Sequence, residues 1–122
     1  MSRLINQLRA QRQSWVDVAP GKRVQIMRPP ESEIGSFLRV DDGRKSMVAE
    51  LDQVVKFTAG WDGITEADIL GASVGGSDAV AFEADLWREM VADRGDWLKL
   101  VAQALLDAIV KHFESKAQAE KN

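Results

Sequence analysis

Gly71-Ala72-Ser73-Val74-Gly75 has the spacing of a G-x-S-x-G nucleophile elbow, and Asp85 and His112 follow it in the hydrolase order Ser, Asp, His. In that chemistry the serine attacks a carbonyl, the histidine takes its proton and the carboxylate orients the ring. The elbow works only where a buried strand precedes the serine and a helix follows directly, so that Oγ stands above a parallel sheet. Here Thr65 to Leu70 reads as a capped helix, and Gly75-Gly76-Ser77-Asp78 follows as loop. The chain also offers too few strands for such a sheet. Ser73 is therefore expected to be a loop residue with no catalytic partner, and no enzyme activity is expected. Loss of a turnover on Ser73→Ala would be required to restore the hydrolase reading.

Other chemistries find less support. His112 is the only histidine and cysteine is absent, which removes paired-histidine and cysteine-ligated zinc, disulfides and thiol catalysis. The glycines at 71, 75 and 76 lack the Gly-Lys-Ser/Thr ending of a phosphate loop. The carboxylates are scattered, and none falls in a calcium-loop pattern. No metal and no cofactor is expected, and His112 reads as a partly buried residue at the core edge.

The elements that would carry these residues come from periodicity. Ser2 caps a helix with Leu4, Ile5 and Leu8 on one face, over roughly residues 1–14. Trp15 to Val18 and Arg23 to Met27 alternate about Pro20-Gly21, a strong turn pair, which predicts a β-hairpin over 15–28 with Val16, Val18, Val24 and Ile26 facing the core. A helical body is expected over 30–113. It opens with a short helix from Pro30 through Leu38, followed by a polar loop at Asp41 to Lys45. Next comes a helix capped by Ser46 that carries Met47, Leu51, Val54, Val55 and Thr58 and ends at Gly60. Thr65-Glu66-Ala67-Asp68 resembles a capping box and starts a helix that stops at Gly71. Phe82 precedes a helix to about Asp93, and Asp96 caps the longest one, from Trp97 to about Ser115. Residues 114–122 read as a polar, frayed tail. The expected fold is α+β and mostly α, an N-terminal hairpin followed by a small helical bundle in one domain over 1–113.

At 122 residues with 45% apolar content the chain can bury an ordinary core. No apolar run reaches the roughly 20 residues that span a bilayer, and Met1 to Gln7 lacks a signal-peptide core, so a soluble, cytoplasmic protein is expected. The net charge of −3 is uneven. Residues 1–30 hold Arg3, Arg9, Arg12, Lys22, Arg23 and Arg28 against Asp17 alone, while the remainder holds ten basic and eighteen acidic groups. Solvated faces that need no partner are the favoured explanation, ahead of a partner surface or head-to-tail self-association.

Tryptophan offers large apolar area and is enriched at interaction hot spots. Trp61 sits before Asp-Gly, a constrained turn, and reads as a packing anchor. Trp87 adjoins Leu86 on one helix; both cannot point to the same centre, so one of them is a candidate contact. The last helix carries Leu98, Val101, Leu105, Ala108, Ile109 and His112 on one face, with Leu106, Val110 and Phe113 beside it. An arc so broad calls for deep burial or a partner.

The order Val54-Val55, then Trp61-Asp62-Gly63-Ile64-Thr65-Glu66-Ala67-Asp68-Ile69-Leu70-Gly71, then Phe82-Glu83-Ala84-Asp85-Leu86-Trp87 resembles the tail assembly chaperones of long-tailed bacteriophages. Ile26-Met27-Arg28-Pro29 is similar to that family's early basic strand, which closes on Arg-Pro before an acidic helix start. The resemblance spans about residues 15–113. One departure is the loop before Phe82, which has Gly75-Gly76 where family members often carry proline. The resemblance implies a small, mostly helical binding protein. It would hold the long, apolar, helical tape-measure protein while tail-tube subunits polymerise, and be absent from the finished tail. The implied partners are the tape-measure protein and the tail-tube protein, in the cytoplasm of a bacterial host. Trp87, Leu106, Val110 and Phe113 are the expected contacts, with self-association through the same surface as the rival. Many members have a longer form made by −1 frameshifting, and Glu120-Lys121-Asn122 can be encoded by a slippery heptamer. The alternative from another class is a small nucleic-acid-binding regulator using the basic N-terminal third. The acidic total and the lack of helix-turn-helix spacing make nucleic acid an unexpected partner.

Overall fold

A computed structural model describes residues 2–121. The chain begins with α1 (Arg3–Gln11), whose first turn is capped by the Ser2 hydroxyl accepting from the Leu4 amide at 3.2 Å. The expected hairpin follows as β1 (Gln13–Ala19) and β2 (Lys22–Met27), antiparallel with Val16 across from Val24, and an irregularity between Asp17 and Ala19. Val18, Val24 and Ile26 are buried and Val16 packs against them, so the alternation selects the core face as read.

From residue 30 onward the all-helical expectation fails. Helix and strand account for 52% and 23% of the chain, too much strand for one hairpin. The Pro30 segment forms only α2 (Glu31–Ile34) and a 3-10 turn over Gly35–Phe37. The expected polar loop is the tip of a second hairpin, β3 (Leu38–Asp41) and β4 (Arg44–Met47). Asp42 and Gly43 both have positive φ, 49° and 76°, the pairing that matches strand twist in a two-residue turn. Ser46 therefore lies in β4 and caps nothing.

The helix expected to run to Gly60 is also shorter. It forms α3 (Leu51–Lys56), with the Gln53 side chain accepting from the Glu50 amide at 2.8 Å, and β5 (Thr58–Asp62) follows at once. β5 pairs antiparallel with β2, giving a three-stranded sheet in the order β1-β2-β5. Helical spacing loses here because the far edge of β2 needs partners for its backbone groups, and Thr58 and Trp61 suit a strand. Thr58 turns its hydroxyl back to the Val54 carbonyl at 2.7 Å, which ends α3.

Thr65 and Asp68 form the expected reciprocal cap of α4 (Glu66–Leu70), with bonds of 2.8 and 3.3 Å. The glycine-rich loop then folds back on α4: the Ala67 amide donates to the Gly76 carbonyl at 2.9 Å and Glu66 to Asp78 at 3.1 Å. A Cβ at Gly75 would lie 2.6 Å from the Ala67 nitrogen, so glycine at this position permits the close approach.

α5 (Ala84–Ala92) and α6 (Gly95–Lys121) complete the chain. Asp96 lies in the first turn of α6, where the helix dipole favours an acid. α3, α5 and α6 pack on one another, and α6 also covers β1 and β2. The core lies between them: Val24 and Ile26 from the sheet, Val54 from α3, Trp87 and Val91 from α5, Val101, Leu105 and Ile109 from α6. Helix persists to Lys121 where fraying was expected, supported by the good helix formers of that stretch and by an ion pair from Lys116 to Glu31. Asn122 lies outside the described residues.

Candidate partner-binding surface

α6 presents a buried stripe with an exposed apolar edge beside it. Trp97, Val101, Leu105 and Ile109, spaced every fourth residue, are buried against the sheet and α5. Leu106, Val110 and Phe113 run along one edge of that buried stripe. Leu106 still packs against the core, whereas Val110 and Phe113 are 47% and 42% exposed. Ile109 is the last core residue, and the helix continues for twelve more, roughly 18 Å at 1.5 Å per residue. His112 and Lys116 tie this stretch to Glu31, so the apolar edge lies on the outer flank of a helix still docked to the body.

Trp87 does not belong to this surface. It is fully buried, and Leu86, half-buried, is the outer of the two. The reason is spacing: Trp87, Met90 and Val91 stand at i, i+3 and i+4 and form the inward stripe of α5. Its ring lies 6.4 Å from Trp61, edge to face, and Trp61 meets Phe82 at 5.1 Å. The Trp61 indole donates to the Val80 carbonyl at 2.6 Å, which fixes the anchor expected at that turn. Of the four expected contacts, then, Val110 and Phe113 are displayed, Leu106 half so, and Trp87 is structural.

Other apolar groups, given no contact role from the sequence, are also exposed. Leu4, Ile5 and Leu8 face outward on α1, a helix with no buried residue, and Leu38 and Val40 are exposed on β3.

Ser73 lies on an exposed turn after α4, with helix before it and loop behind. His112 is engaged elsewhere: its Nε2 lies 2.6 Å from Glu31 Oε2. The sequence order Ser, Asp, His therefore does not become a triad.

The basic N-terminal third is divided among separate tasks. Lys22 pairs with Asp68 at 2.8 Å and Arg23 with Asp62 at 3.3 Å, while the Arg23 guanidinium also stacks 4.1 Å from the Trp15 ring. Two of the six basic groups thus meet the acidic body of the same chain. Arg12 and Arg28 lie apart from these pairs, in a cleft beside α6.

Two carboxylates are held ionised by this pairing. The His112 and Lys116 side chains, both on α6, lower the Glu31 pKa below the usual carboxylate range. Burial pushes Asp68 upward, but the Lys22 ammonium and the Thr65 amide and hydroxyl outweigh it, and the result is lowered. A group whose folded pKa is depressed contributes stability above its unfolded pKa, and loses it as pH falls through the folded value. Melting temperature is therefore expected to fall on acidification below about pH 4.5, the ordinary glutamate value. Glu31→Gln should flatten that acid limb; an unchanged limb in both Glu31→Gln and Asp68→Asn would refute the assignment.

Among the described residues no helix is long and apolar enough to cross a membrane. No family model, curated protein or solved structure matches the chain.

Proposed function

We propose that this chain is a tail assembly chaperone that holds an apolar helical segment of a phage tape-measure protein against the edge of α6. The observation that carries the reading is the Leu106, Val110, Phe113 edge, which runs from the core margin onto an exposed flank of the helix. Residues at i, i+4 and i+7 are the spacing by which one helix grips another, and a few large anchors dominate such contacts. The resemblance of residues 15–113 to that chaperone family supplies the identity of the partner. Binding, with no covalent step, is the whole of the proposed activity.

The test is co-expression with the tape-measure protein encoded beside it, measuring the soluble fraction of that partner. Val110→Asp with Phe113→Asp is expected to return it to the level found without the chaperone. The fold should survive both changes, because neither side chain belongs to the buried core. Leu100→Asp, exposed on a different face of α6, is the control and should leave the partner soluble. Wild-type protein that fails to solubilise its tape-measure protein would end the reading. A double variant that fails only to self-associate would assign the edge to a homo-oligomer instead.

A further inference from the structure

A cleft of about 400 Å³ opens between the end of α1, the start of β1 and the C-terminal half of α6. Arg12 and Arg28 line it from the hairpin side, Lys111 and His112 from α6, and the hydroxyl residues Ser14 and Ser115 stand at its walls. The two arginines are brought together by the β1–β2 register. Gln13 pairs with Met27, and one step beyond, the Arg28 amide donates to the Arg12 carbonyl at 2.8 Å. Arg12 Nε is buried with no hydrogen-bond partner. Arg28 uses Nη1 on the Pro29 carbonyl at 2.8 Å, and its pKa is lowered by burial first and by the charge of Arg12 second.

Two arginines that share a cleft, one lowering the other's pKa, with Lys111 lining the same cleft form an arrangement that costs free energy unless something negative joins it. The surrounding carboxylates are otherwise engaged. Glu31, whose charge reaches Arg28, holds His112 and Lys116, and Asp107 accepts from Gln103 at 3.0 Å. The cleft lies on the flank of α6 away from Val110, so it is independent of the tape-measure reading.

We propose that this cleft binds a phosphate-type dianion, free or as a phosphomonoester, between Arg12, Arg28 and Lys111. Guanidinium forks match the paired oxygens of phosphate, a lysine adds a point charge, and serine hydroxyls complete the donor set. Three cations lining one cleft favour a doubly charged oxyanion over a carboxylate. A volume in the usual range for small-ligand sites leaves room for an ester substituent beyond the phosphate.

The test is a titration of the full chain, followed by amide chemical-shift changes, with inorganic phosphate, adenosine monophosphate and acetate. Phosphate or the nucleotide should bind with shifts centred on residues 11–14, 28 and 108–115, and acetate at least tenfold more weakly. Arg12→Gln and Lys111→Gln should each weaken binding by about tenfold or more, the loss expected for a charge-assisted hydrogen bond. Lys111 is exposed, so its variant keeps the test decisive if Arg12→Gln fails to fold. Tighter binding of the nucleotide identifies an organic phosphate ligand, and equal binding the free anion; either sustains the proposal. Absence of binding, affinity unchanged in the Lys111 variant, acetate binding as tightly as phosphate, or a DNA duplex outcompeting the nucleotide through these same residues would each overturn it.

Discussion

Replacing Trp87 by alanine is expected to remove about 3–5 kcal/mol of stability, the usual loss when a buried tryptophan is truncated to leave a cavity. Trp87 is fully buried where α5 meets the rest of the core, with its ring against Trp61. Since small domains are stable by only about 5–15 kcal/mol, the variant should unfold at a much lower denaturant midpoint or fail to fold. The indole N–H gives a second, sharper expectation. It is buried without a hydrogen-bond partner, a cost already present in the native state. Trp87→Phe deletes that donor while keeping an aromatic ring, so it should cost well under half as much as alanine. Urea unfolding of the two variants checks both. A phenylalanine variant as unstable as the alanine one would mean that the indole N–H is satisfied after all.

Gly63→Ala is expected to be the most damaging glycine substitution near the sheet, at about 2–5 kcal/mol. Gly63 has φ of +81°, and an added Cβ would overlap the Gly21 carbonyl oxygen and stand 3.2 Å from the Gly21 carbonyl carbon. The left-handed backbone alone costs a side chain about 1–2 kcal/mol, and forcing the β1–β2 turn away adds about 1–3 kcal/mol. The turn and the end of β5 are held together there, with Lys22 Nζ donating to the Gly63 carbonyl at 3.2 Å. Gly43→Ala isolates the backbone part, because Gly43 has φ of +76° with open space around it. If denaturant midpoints place Gly63→Ala no lower than Gly43→Ala, the apposition of β5 to the first turn is not as described.

What could be read from the chain depended on whether local chemistry or a distant neighbour decided the outcome. Pro20-Gly21 with its flanking alternation, Ser2 before α1 and the Thr65-to-Asp68 cap are local signals, and each forms as read. Asp42-Gly43 is just as local a signal. It was hidden because the alternating Leu38 and Val40 face solvent, so the strand pattern points to no core. Thr58 to Asp62 was beyond local reading, since its fate is set by the unfilled edge of β2, more than thirty residues earlier in sequence. The same distinction applies to the sites. That one of Leu86 and Trp87 faces inward follows from the helix period, but which one does depends on where Trp61 and Phe82 come to rest. The meeting of Arg12 and Arg28 needed only the hairpin register, extended by one residue past each end.

The apolar edge of α6 also sets a counting rule. From Leu106 to Phe113 the helix rises by seven residue steps, roughly 10 Å, which matches about two turns of a helix lying alongside. Under the proposed function, one copy of this chain would mask only a short window of a long apolar helix. Shielding a tape-measure protein would require copies in proportion to its length, arrayed along it like beads on a cord. Occupancy would fall away copy by copy as tube subunits took their places, with no single release event.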